Sequence, residues 1–104
     1  MTESTPRSAA EEIDDSILAL AEMVDDLRHS DRLWARMDEA EAASWSERWL
    51  QFMTAEVPRL ERSFTDNKLT PKQRRHYQRL RHSMQRHWSI IDRLELRRPP
   101  IPRE

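Results

Sequence analysis

The chain of 104 residues contains no glycine and no cysteine. Without cysteine there is no disulfide framework, thiolate metal site or cysteine nucleophile. Without glycine the chain lacks the residue that most readily supplies positive φ in tight hairpins, phosphate-cradling loops and nucleophile elbows. Sheets and nucleotide-binding loops are therefore disfavoured together. Long apolar runs are missing as well. None approaches the roughly 18 residues of a membrane span. Met1-Thr2-Glu3-Ser4-Thr5-Pro6 lacks the basic and apolar regions of a signal peptide. The expectation is a soluble cytoplasmic protein with no membrane partner. Large apolar side chains are scarce: Ile, Leu, Val and Phe number 19, below the share of about 20% at which disorder becomes a concern. A net charge of −1, four Trp and five Met argue against full disorder. One domain with a thin core is expected, of a kind that a second copy or a partner helps to complete.

The residues present favour helices. Arg, Glu, Ala, Leu and Asp dominate, with few β-branched residues. Residues 1–8 read as a flexible N-terminal arm, 9–96 as a helical bundle domain and 97–104 as an extended Pro-rich tail. Ile13, Ile17, Leu20, Val24 and Leu27 recur at steps of 4 and 3, predicting a helix from about residue 9 to 28. Ser8 is its expected N-cap, with Glu11 as capping-box partner. After a turn at 29–32, with Ser30 or Asp31 as cap, residues 31–64 read as one helix or two. Leu33, Trp34 and Met37 start an apolar face, and Ser44-x-x-Glu47 places a break near residue 44. Trp45, Trp49, Phe52, Met53, Val57, Leu60 and Phe64 stay in register across Pro58, which predicts a kink rather than a stop. Thr70-Pro71 starts the last helix, expected to run to Leu96 with Tyr77, Leu80, Met84, Trp88, Ile91 and Leu94 inward. The fold class expected is all-α: a small antiparallel three- to four-helix bundle with a kinked or broken middle helix.

Charge is divided along the chain. Residues 1–66 hold 16 Asp/Glu and 7 Lys/Arg; residues 67–104 hold 3 and 11. Between Asp66 and Asp92 there is no carboxylate. On the last helix Arg75, Arg79, His82 and Arg86 point away from the apolar seam, flanked by Lys72, Arg74 and Arg81. Acids three or four residues away would normally offset such charges. Neutralisation by the acidic first helix is one reading, an acidic protein partner a second, and phosphate binding a third.

Other candidate chemistry is sparse. His76, His82 and His87 share a helix, but no set of Glu-x-x-His pairs suits a bundle metal site, and no metal or other cofactor is expected. Pro99-x-x-Pro102 has the spacing of an SH3-type ligand, though a helix stop with a disordered end is the simpler reading. Trp34, with few apolar neighbours in sequence, is the tryptophan expected to face a partner. The reading is of a non-enzymatic regulatory module (an adaptor, inhibitor or assembly factor) binding another protein with an acidic surface and forming a homodimer. The partner-binding candidates are Arg75, Arg79, His82, Arg86 and Trp34. The alternative is a nucleic-acid-associated regulator using the same basic helix.

Overall fold

A computed structural model describes residues 9–29 and 34–102. The expected arm at 1–8 with its Ser8 cap, the residues Ser30, Asp31 and Leu33, and the end of the tail at 103–104 lie outside the described residues. Those described form helices and no strand, so the protein is all-α.

Helix α1 spans Ala9–Arg28 and buries Ile17, Leu20, Met23, Val24 and Leu27. Its inward face follows the expected spacing, with Met23 added. Residues 34–36 make a short helical turn. Helix α2 spans Glu39–Gln51. Its N-cap is Asp38, whose carboxylate accepts from the Glu41 backbone N–H at 2.8 Å. The break expected near residue 44 is absent. Ser44 lies inside α2, and Asp38-x-x-Glu41 is the cap pattern that operates.

The chain continues from α2 into α3 (Val57–Thr65) through a π turn at Phe52–Glu56. There the Val57 N–H reaches the Phe52 carbonyl five residues back. Pro58 is the second residue of α3. It has no N–H, and its ring crowds the carbonyl four residues earlier, that of Thr54. The wider turn just ahead of it accommodates both defects. The irregularity expected at Pro58 thus takes the form of a π turn, and the helix does not stop.

Helix α4 (Pro71–Arg86) begins with a capping box. The Gln73 N–H donates to Thr70 Oγ1 at 3.1 Å, and the Thr70 N–H donates to Gln73 Oε1 at 3.0 Å. Gln73 is buried, and its amide nitrogen also donates to Ala10 O at 3.1 Å and Asp14 Oδ1 at 2.9 Å on α1. One side chain therefore caps α4 and ties it to α1. The single helix expected from Pro71 to Leu96 is broken at His87 (φ −100°, ψ 18°), and α5 occupies Trp88–Arg93. The His87 ring Nδ1–H donates to Ser83 O at 2.7 Å, the same carbonyl that the His87 backbone N–H reaches at 3.1 Å.

Two helix ends need left-handed backbone, which glycine would normally supply. Asn67 (φ 59°) follows α3 and Glu95 (φ 56°) follows α5. At each, the next N–H bonds back five residues: Lys68 to Ser63 O at 2.8 Å and Leu96 to Ile91 O at 2.9 Å. Asn tolerates this conformation better than Glu.

The chain after Leu96 is not a solvated end. Leu96 and Ile101 are buried in the core, and Pro99 is buried with them. The indole N–H of the fully buried Trp49 donates to Arg97 O at 2.7 Å, and Gln85 Nε2–H donates to Pro102 O at 2.8 Å. With 19 large aliphatic and phenylalanine side chains to build from, the core draws on the tail as well as the helices.

Replacing Glu95 by Gly should remove the steric penalty of its left-handed conformation, about 1 kcal/mol. In thermal unfolding of Glu95→Gly, a rise of about 4–8 °C is expected. The same change at Asn67 should give a smaller rise.

Candidate interaction surface on the basic helix

Helix α4 carries two populations of cations. The first faces α3. Arg81 donates to Glu61 twice, Nε to Oε2 at 2.8 Å and Nη2 to Oε1 at 3.2 Å, with both side chains about four-fifths buried. Tyr77 donates its hydroxyl to the same Oε2. Arg74 donates to Phe64 O at 3.3 Å. The Arg74 and Arg81 guanidiniums both lie over the Phe64 ring, 4.4 and 4.6 Å from its centroid.

The second population faces solvent. Arg75, Arg79, His82 and Arg86 are all exposed. They fall at steps of 4, 3 and 4, one stripe about 16 Å long on the side of α4 opposite Tyr77. With Gln78 and Gln85 they line an open furrow of about 680 Å³. Among the described residues Arg75, Arg79 and Arg86 have no acidic partner. The four basic site residues expected from the sequence thus come together on one surface.

Neutralisation is differently arranged from the expectation that placed α1 against the flanks of α4. The acid that meets α4 is Glu61 of α3, and Asp14 of α1 reaches α4 through Gln73. Other α1 acids have other partners. Glu12 lies 3.8 Å from Arg59, and Asp26 accepts from the Trp45 indole N–H at 3.2 Å.

Trp34 is not with the strip. It is half-buried against the core, edge-on to Trp45 at 5.5 Å between centroids. Trp45 in turn stacks on Trp49 at 5.6 Å. Trp88 is buried too, and its indole N–H has no hydrogen-bond partner among the described residues. Glu61 is the residue that sequence reasoning missed. It stands 16 and 20 residues from Tyr77 and Arg81, beyond any helical periodicity.

Among the described residues no three His, Asp or Glu side chains converge to hold a metal ion, and no helix is long and apolar enough to cross a membrane. No family model matches the sequence, and no curated protein or solved structure matches the chain.

The Tyr77 phenol is pushed far above its ordinary range, first by burial and then by the Glu61 carboxylate that it donates to; Arg81 opposes this weakly. The folded state therefore holds this proton more tightly than the unfolded state does. The associated stability is complete below about pH 10 and is lost as pH rises beyond it. Tyr77 is the one tyrosine in the chain, so tyrosinate absorbance reports it alone. In an alkaline titration that absorbance should appear together with loss of helical circular dichroism, and Tyr77→Phe should weaken the alkaline dependence of unfolding.

Proposed function

We propose that the protein is a small, non-enzymatic intracellular interaction module, an adaptor, inhibitor or assembly factor, whose α4 stripe docks an acidic surface of another protein. The observation that carries this reading is the division of labour on one helix. Arg74 and Arg81 have partners within the fold, while Arg75, Arg79 and Arg86 stand exposed without an acid among the described residues. Like charges one turn apart on a helix cost about 0.2–0.5 kcal/mol per pair. An acidic partner removes that cost and replaces it with attraction that also speeds encounter.

An acidic protein suits the stripe better than nucleic acid does. Sequence-tolerant binding of single strands combines a basic track with aromatic stacking platforms. Here the lining is arginine, histidine, glutamine and serine, and Trp45, Trp49 and Trp88 are buried elsewhere.

A Glu-rich helical peptide is a direct probe, titrated at about 0.1 M and about 1 M salt. Binding should be measurable at the lower salt, where the screening length is about 10 Å, and vanish at the higher, where it is about 3 Å. Arg79→Glu with Arg86→Glu should weaken it at least about tenfold with unchanged circular dichroism. Equal loss in Arg74→Ala, or no loss in the double variant, would move the site off the stripe. Mixed-sequence DNA and RNA serve as competitors, and preference for them would make phosphate the partner.

A further inference from the structure

The outer face of α1 mirrors the outer face of α4 with opposite charge. Glu11, Asp15, Leu18 and Glu22 are all exposed and follow one another at steps of 4, 3 and 4. Arg75, Arg79, His82 and Arg86 repeat those steps. The spacing is common to any helix face; the sign is what matches. In a parallel arrangement Glu11, Asp15 and Glu22 face Arg75, Arg79 and Arg86; in an antiparallel one Glu11 and Glu22 face Arg86 and Arg75 while Asp15 faces His82. Helices packed side by side lie 8–10 Å apart, within reach of Arg and Glu side chains. The match includes an apolar residue. Leu18 is the most exposed large hydrophobic residue among those described, at 57%. It sits among the acids of α1, opposite His82 or Arg79, whose aliphatic stem can cover it.

Within one chain the two stripes cannot meet. Gln73 holds α1 and α4 side by side through Ala10 and Asp14, while each stripe lies on the side of its helix away from the core. We infer that the α4 stripe binds the outer face of α1 on a second copy of this chain. This rests on the reading of the stripe as a protein-docking surface and names its partner. Each copy carries one acidic and one basic face, so pairing can be reciprocal and closed or head-to-tail. Both raise the mass above that of one chain.

The test is the solution mass by light scattering across protein concentration, with two charge-reversed variants. One carries Arg79→Glu and Arg86→Glu; the other carries Asp15→Lys and Glu22→Lys. Wild type should exceed one chain at about 0.1 M salt and return to monomer at about 1 M, as screened ion pairs require. Each variant alone should be monomeric, with unchanged circular dichroism. Mixing the two should restore association, because the reversed faces again oppose each other. Wild type that stays monomeric at every concentration overturns the inference. So does association that survives either reversal, or a mixture that stays monomeric. Binding of the Glu-rich peptide by monomeric wild type would sink the inference and leave the docking stripe standing. Failure of both measurements would remove the stripe itself.

Discussion

The Glu61 carboxylate sits where α3 meets α4, and most of the electrostatic order of the protein is set there. It accepts from Tyr77, a fully buried aromatic, and holds Arg81 through both of its oxygens. A carboxylate in that position draws one flank of α4 inward and, with Phe64 beside it, leaves the opposite stripe facing solvent. The contrast between taken and untaken cations is therefore a result of packing. A buried pair of this kind is a weak source of net stability, because desolvation offsets most of its attraction. Its effect is to fix which face of α4 points out.

Shortage of apolar material shapes the rest. The core recruits the tail through Leu96 and Ile101, and all three of the tryptophans 45, 49 and 88. Polar groups follow them into the interior, and two indoles find acceptors there, Asp26 and the Arg97 carbonyl. Among the described residues Gln73 is the one fully buried polar side chain, and its amide serves both the capping box and the junction with α1.

Much of this was legible in the sequence, and the remainder has physical reasons for having been hidden. The inward face of α1 and the start of α4 at Thr70-Pro71 follow from local rules, and the structure bears them out. The basic stripe was legible because helical periodicity places Arg75, Arg79, His82 and Arg86 together without tertiary information. The break at His87 has no proline or glycine to announce it, and Met84 and Trp88 on either side of the bend are both buried. The Asp38 cap was masked by a second cap-like pattern at Ser44. The docking of Ile101 was masked by prolines that read as a simple stop. Which arginines would be satisfied depended on Glu61, a residue on another helix, and no spacing within α4 could reveal it.

The arrangement of the indoles also governs how the molecule handles light. Trp34, Trp45 and Trp49 form a contiguous row with centroids 5.5 and 5.6 Å apart, one contact edge-on and the other nearly parallel. At such separations the transition dipoles couple and excitation passes between rings, so the three behave as one chromophore. Since Trp49 is joined to Arg97 and Trp45 to Asp26, that chromophore spans the seating of both the tail and the end of α1. Emission and near-ultraviolet circular dichroism of the unlabelled protein therefore register disturbance of either contact as a change in a single shared signal.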